Sequence, residues 1–319
     1  MKYPIKTRSK LFLAPMSGVT NVAFRILCKR HGAGLCYTEF MSADALVKFK
    51  DKIDNPIFDV SEKERPVVTQ IFGENTKKII DAAKSLLGKT DIIDLNIGCP
   101  APKIMASGGG SELLKSPEKI KEILGELNKL DIPITCKIRL GIDKENIIAL
   151  KIAKIAQRAG CKAIAVHART QKQGYSGKAD WNWIKKIKQN VNIPVIGNGD
   201  ITCPIDAKKM FDETLCDFVM IGRSAMQDPT IFSRTNEYLK TGILPKETSL
   251  KEKLELLKEY IDLMHEHKIY SLHLAKSALM QFSKGHIGGK LIRAKLSKIK
   301  TEEEFSKFLK EINKELLKN

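Results

Sequence analysis

The feature that most constrains this chain is a repeated pattern. Up to about residue 240, a short apolar, β-branched run is followed by a loop with Gly, Pro or polar residues and then by a helix-length amphipathic stretch. The predicted strands begin near Leu11, Leu35, Pro66, Asp91, Pro133, Lys162, Ile193 and Asp217. Eight such units at this spacing fit a (β/α)8 TIM barrel, an α/β fold. A doubly wound open sheet is the competitor, but no G-x-G-x-x-G follows the first strand. The interval from Asp91 to Pro133 is the longest, so the loop after the fourth strand is expected to be extended. Extended barrel loops usually carry function.

Beyond Thr241-Gly242 no strand-like run recurs and the periodicity is purely helical. Leu250, Leu254, Leu257, Ile261 and Met264 share one helical face, a second apolar stretch runs from Leu272 to Phe282, a third helix starts near Gly288, and a last one spans 302–317. The expected division is a barrel domain over residues 1–240 followed by a small all-helical bundle over 243–319.

The longest apolar runs fall far short of the ~20 residues that a membrane span needs, and no signal-peptide core opens the chain. A cytoplasmic protein with no membrane association is expected, and a monomer. Seven cysteines without a C-x-x-C argue for reduced thiols over a disulfide framework, and against any metal site. Charge points to a partner: 55 Lys+Arg against 37 Asp+Glu leave a net +18. The first acidic residue is Glu39, which leaves Lys2, Lys6, Arg8, Lys10, Arg25, Lys29 and Arg30 uncompensated in sequence. The stretch 268–300 holds eight cations (Lys268, Lys276, Lys284, Lys290, Arg293, Lys295, Lys298, Lys300) and no carboxylate. Solvated helix faces usually mix signs, so a nucleic-acid surface is favoured over a general lysine bias.

In a TIM barrel the active site lies at the C-terminal ends of the strands, where this chain places Pro15-Met16-Ser17, Gln70, Asn96 with Cys99, Lys137 with Arg139, His167 with Arg169, Gly197-Asn198-Gly199-Asp200 and Gly222-Arg223. The last two are small-residue turns leading into helices after strands seven and eight, where barrels hold a phosphate on free backbone N–H groups. Lys137 lies within an apolar strand. It reads as a cation beside the N1/C2=O edge of a flavin, with a Schiff-base lysine and a plain salt bridge as alternatives. Met16 and Pro15 could offer a flat ring system a backbone N–H and an apolar ledge, or be core filler. His167 is either a ligand contact or a hydrogen-bonded barrel histidine. Cys99, between Gly98 and Pro100 at the catalytic rim, suits a general acid, because an ordinary thiol is protonated at neutral pH and no activating base is evident.

Together these segments resemble the tRNA-dihydrouridine synthases, most closely their bacterial B-type branch. The resemblance rests on Ala14-Pro15-Met16 to Phe24-Arg25, Asn96-Ile97-Gly98-Cys99-Pro100-Ala101-Pro102-Lys103, Gly108-Gly109-Gly110-Ser111, Lys137-Ile138-Arg139-Leu140-Gly141, His167-Ala168-Arg169-Thr170 to Trp181, Gly197-Asn198-Gly199-Asp200-Ile201 and Ile221-Gly222-Arg223. It implies an FMN enzyme that saturates the C5=C6 bond of a uridine in tRNA, with NADPH or NADH reloading the flavin. Hydride would pass to C6, and Cys99 would protonate C5. By the same resemblance, Pro15, Met16, Ser17, Gln70, Lys137, His167, Asn198, Gly199, Asp200, Gly222 and Arg223 would bind FMN. Asn96, Lys103, Arg139, Arg169 and Tyr175 would meet the uridine. The target base must leave its stack to reach the barrel mouth, which suits a basic helical domain gripping the RNA outside it. Departures from the family are Gln227-Asp228-Pro229-Thr230, where Gly-x-Pro-Trp is frequent, and Glu112, where a small residue is common. The competing functions are a flavin-dependent reductase of a free pyrimidine or enone, and a non-catalytic RNA-binding barrel.

Overall fold

Every predicted strand forms within two residues of its expected start. The structure is a computed structural model that describes residues 3–49 and 60–316; Lys2 and the last position of the expected 302–317 helix lie outside the described residues. The strands are β1 Leu11–Leu13, β2 Leu35–Tyr37, β3 Val67–Phe72, β4 Ile92–Ile97, β5 Ile134–Arg139, β6 Ala163–His167, β7 Val195–Asn198 and β8 Phe218–Ile221. All neighbours are parallel, and β8 returns to β1 through Leu11 opposite Val219, which closes the barrel and excludes the open sheet. A two-residue strand, Met41–Ser42, adds to the end of β3 and was not anticipated. It is too short to show a period, and Ser42 then caps the helix Ala43–Lys48.

The period-two pleat decides which side chains share the barrel interior. Along β4, Ile92, Asp94 and Asn96 face one way while Ile93, Leu95 and Ile97 pack outward against the helices. The same parity puts Thr135, Lys137 and Arg139 of β5 inside, with Gln70 of β3, His167 of β6 and Asn198 of β7. At the base the interior is aromatic: Phe12 and Phe218 stack with centroids 4.7 Å apart, and Tyr3 meets both edge-on at 5.2 and 5.1 Å. Burial of each ring contributes roughly 1.5–3 kcal/mol, which helps offset the desolvation of the polar upper layer. Polarity therefore rises toward the C-terminal ends of the strands.

The long β4–β5 connection is not a bare loop. It contains the helix Pro102–Ala106, a 3-10 segment Gly110–Lys115 and the helix Pro117–Leu127. Past the barrel, four helices follow, Leu250–Glu266, Leu272–Phe282, Gly289–Leu296 and Glu302–Leu316, the first opened by a Ser249/Glu252 capping box. Leu250–Glu266 lies against the barrel helix Val22–Arg30, where Tyr260 meets Phe24 edge-on at 5.9 Å and accepts a hydrogen bond from Asn21 at 2.7 Å. Leu272–Phe282 packs on the short helix Arg223–Gln227, directly behind the end of β8. No helix among the described residues is long and apolar enough to cross a membrane.

Two of the N-terminal cations, Arg25 and Arg30, find a carboxylate in three dimensions, which corrects the sequence expectation for them alone; Lys6, Arg8 and Lys10 form no salt bridge among the described residues. Arg25 is buried and pairs with Glu64, Arg30 pairs with Glu259 at 2.6 Å, and Lys29 donates to the Gly34 carbonyl at 3.0 Å. The 268–300 stretch differs. Lys268, Lys284, Lys290, Lys295, Lys298 and Lys300 are exposed, and none of its eight cations forms a salt bridge among the described residues.

Candidate functional site

Cys99 is the first chemical group met above β4, and three contacts fix its backbone. Asn96 Oδ1 accepts hydrogen bonds from the N–H groups of Gly98 at 3.0 Å and Cys99 at 2.9 Å. The Cys99 carbonyl in turn accepts from the Ser111 N–H and hydroxyl, both at 3.0 Å, so the extended loop folds back and clamps its own start. Gly110, at φ +60°, makes that return possible, since a Cβ there would lie 2.6 Å from the Cys99 oxygen. Burial raises the Cys99 thiol above its ordinary pKa, outweighing the Ala101 N–H, Lys137 and Arg139, which pull it down. The sulfur is therefore protonated at neutral pH.

Lys137 points from β5 into the same mouth. Burial and the nearby Arg139 push it down to about 8, against the opposing pull of Asp94 and Cys99. Its ammonium makes no hydrogen bond or salt bridge among the described residues. Three more cations, Arg139, Arg169 and Arg223, stand around His167. Burial first, and then these charges with Lys137, hold the imidazole well below its usual pKa. Arg169 Nη1 lies 3.3 Å from His167 Nε2, and a guanidinium can only donate. Nε2 is thus the acceptor, and Nδ1 carries the proton.

The turns after β7 and β8 complete the rim. Gly199 has φ +126°, and a Cβ there would come within 2.8 Å of Ala179 and 3.3 Å of the His167 ring. Asp200, itself at φ +58°, receives Arg169 at 2.7 Å, the Ala179 N–H at 2.8 Å and Arg223 at 3.2 Å. Against partial burial, these donors and charges keep its carboxyl below the ordinary range. Asn198 donates to the Met220 carbonyl at 2.8 Å. The backbone N–H groups of Gly199, Asp200, Gly222, Arg223 and Ser224 make no hydrogen bond among the described residues. A lone ammonium, a neutral imidazole and two sets of free N–H groups thus share one rim, a donor set that fits a planar anion carrying a phosphate.

Other expected contacts fall out differently. The Met16 N–H is not available to a ligand, because it donates to Thr20 Oγ1 at 3.1 Å; Pro15 and Met16 remain as a half-buried ledge, with Ser17 exposed beside them. Gln70 and Asn96 are buried and bonded to each other at 2.8 Å. Arg139 donates to the carbonyls of Gly98, Thr170 and Gly174, and each guanidinium nitrogen of Arg169 has a partner within the protein. Tyr175 is 61% exposed, with the guanidinium carbons of Arg223 and Arg139 at 4.8 and 5.6 Å from its ring centre. Lys103 is exposed on the helix Pro102–Ala106 and makes no hydrogen bond or salt bridge among the described residues. Sequence reasoning missed Asp94 and Thr135, although alternation along Ile92–Ile97 places Asp94 on the face of Asn96.

The family model for dihydrouridine synthases (Dus) matches residues 12–318. The chain belongs to the dihydrouridine synthase family. Its relatives within that family include a probable tRNA-dihydrouridine synthase of Aquifex aeolicus, 39% identical over 87% of this chain and 88% of that protein. The tRNA-dihydrouridine synthase B of Escherichia coli K12 is 40% identical over 81% of each chain, and that of Pseudomonas putida is 37% identical over 91% of this chain and 87% of its own. Among solved structures, an old yellow enzyme homologue from Zymomonas mobilis aligns with TM-score 0.53 at 11% identity, covering 78% of this chain and 93% of that one. The 6-hydroxypseudooxynicotine amine oxidase of Pseudomonas geniculata aligns with TM-score 0.58 at 12% identity, over 81% and 51%. At such identities the likeness of this chain to them is one of fold.

Proposed function

We propose that this member of the dihydrouridine synthase family reduces the C5=C6 bond of a uridine in tRNA, using FMN reloaded by NADPH or NADH. The observation that carries the proposal is the partnerless Lys137 ammonium on the same rim as a pinned, protonated Cys99. Lys137 would hold the electron-rich N1/C2=O edge of the flavin, His167 would donate through Nδ1, and the free N–H groups of Gly199, Asp200, Gly222, Arg223 and Ser224 would hold the phosphate. Pro15, Met16, Ser17, Gln70 and Asn198 would frame the ring. When bound, FMN supplies the hydride that adds to uracil C6. Cys99 then gives its proton to C5, and solvent reprotonates the thiolate.

For the uridine, exposed Tyr175 on its two guanidinium supports offers a stacking platform, and Lys103 offers a phosphate contact. Arg139, Arg169 and Asn96 hold the walls around it, and a direct contact with the base would have to displace their present partners. The barrel to residue 240 is read as the catalytic domain. The helices from 243 onward, whose cations in the 268–300 stretch form no salt bridge among the described residues, are read as the tRNA grip. Purified protein should be yellow, bleach under anaerobic NADPH, and install dihydrouridine in tRNA but not reduce free uridine. A colourless preparation that FMN cannot reconstitute refutes the proposal, and consumption of free uridine in place of tRNA selects the small-substrate reductase.

A further inference from the structure

Asp94 is fully buried inside the barrel and makes no hydrogen bond to Cys99 or Lys137 among the described residues. Its two oxygens accept from Thr135 Oγ1 at 2.6 Å and from Gln70 Nε2 at 2.7 Å. Gln70 Oε1 then accepts from Asn96 Nδ2 at 2.8 Å, and Asn96 Oδ1 accepts from the Gly98 and Cys99 N–H groups. This chain has only one consistent direction. Burial raises the Asp94 carboxyl to about 6, against the pull of Thr135, Gln70 and Lys137, so at neutral pH it is mainly ionised. An ionised carboxylate accepts and never donates, so Gln70 must turn its NH2 toward Asp94 and its oxygen toward Asn96. Asn96 must then turn its NH2 toward Gln70, which leaves its oxygen for Cys99. Reversing either amide would set NH2 against NH2 or against backbone N–H, with buried donors unsatisfied on both sides.

We propose that Asp94 is a positioning residue that sets the polarity of the Gln70 and Asn96 amides and so holds Cys99 in place to deliver its proton. The link to proton delivery rests on the reading of Cys99 as the donor; the geometric role does not. Two further facts agree with it. Asp94 stands next but one to Asn96 on the inward face of β4, so the anchor and the clamp move as one strand. Its carboxylate also lies close enough to Lys137 to favour the ammonium.

The test compares Asp94→Leu with Asp94→Asn, because an asparagine can still accept from Gln70 through Oδ1 while donating to the Thr135 hydroxyl. The first readout needs no flavin: the rate at which iodoacetamide alkylates Cys99 in the flavin-free protein, followed by peptide mass spectrometry. Loss of one net hydrogen bond, about 1 kcal/mol, should speed alkylation about fivefold in Asp94→Leu. Asp94→Asn should stay near the wild-type rate. In the flavin-loaded enzyme, kcat for tRNA reduction should fall at least about tenfold in Asp94→Leu with KM unchanged, and recover in Asp94→Asn. Gln70→Met cuts the relay one link nearer the loop and should reproduce the faster alkylation, which keeps the test open if the leucine variant does not fold. Wild-type alkylation in Asp94→Leu or Gln70→Met overturns the relay, as does Asp94→Asn behaving like Asp94→Leu. A protein that never binds FMN or reduces tRNA would defeat the proposed function and leave the alkylation comparison readable.

Discussion

Gly110→Ala should separate the two halves of the reaction. Gly110 sits at φ +60°, where a side chain costs roughly 1–2 kcal/mol. The new methyl would also start 2.6 Å from the Cys99 carbonyl oxygen and 2.8 Å from Ile104 Cγ2, so the loop must open by several tenths of an ångström. That movement strains the two Ser111 hydrogen bonds to the Cys99 carbonyl, each worth about 0.5–1.5 kcal/mol net. Together these terms come to about 2–5 kcal/mol, confined to the segment that carries the thiol. A displacement approaching 1 Å costs on the order of 10²-fold in rate, so kcat for dihydrouridine formation should drop about 10- to 100-fold. Flavin bleaching by anaerobic NADPH should be unaffected, because the Gly199 and Gly222 turns and Lys137 lie on other strands. Gly125→Ala is the control: it is a helical glycine with open space around its Cβ position, and the change should raise stability by about 0.5–1 kcal/mol with activity intact. A Gly110→Ala enzyme with kcat within about twofold of wild type would refute the clamp.

Three further outcomes are expected. Cys99→Ala should keep the flavin spectrum and NADPH bleaching while tRNA reduction, followed by mass spectrometry of the tRNA, falls by about 10²–10⁴-fold; undiminished turnover would end the acid role. FMN affinity should be flat below the Lys137 pKa of about 8 and fall about tenfold per pH unit above it, since the ring favours the ammonium and deprotonation removes it. Titration of flavin fluorescence should show weaker binding without that slope in Lys137→Met. Replacing Lys284, Lys290 and Lys295 by alanine should weaken tRNA binding and lower the slope of log Kd against log salt by about two to three in filter binding, while the flavin spectrum stays unchanged.

The barrel was legible because its signals are local. A run of β-branched residues, a turn glycine and a 3.6-residue period each act over a few positions, and all eight strands formed close to where those signals lay. The rim was legible for the same reason, since a strand end is a position along the chain. Partners far apart in sequence were not. Arg25 looked like one more surface cation, and only the fold brings Glu64 to it from 39 residues away. Met16 looked able to offer its N–H to a ligand until the turn to Thr20 used it. Asp94 was hidden in another way, because one carboxylate in an apolar strand reads as an irregularity until Gln70 and Thr135 on the flanking strands are seen to meet it.

The charge at the mouth follows from these pairings. Of Lys137, Arg139, Arg169 and Arg223, the two arginines Arg169 and Arg223 share the single carboxylate of Asp200, Arg139 is spent on backbone carbonyls, and Lys137 has no partner among the described residues. Backbone carbonyls satisfy hydrogen bonds and leave the charge in place, so the mouth stays positive without any buried donor being orphaned. A positive, hydrogen-bonded rim attracts anions while its geometry is already set, which lowers the reorganisation that binding requires. Burial first, and then the same field, keep His167 neutral: a fifth positive charge there would be both desolvated and repelled by the four that surround it, which leaves the imidazole a proton on Nδ1 to offer and no charge.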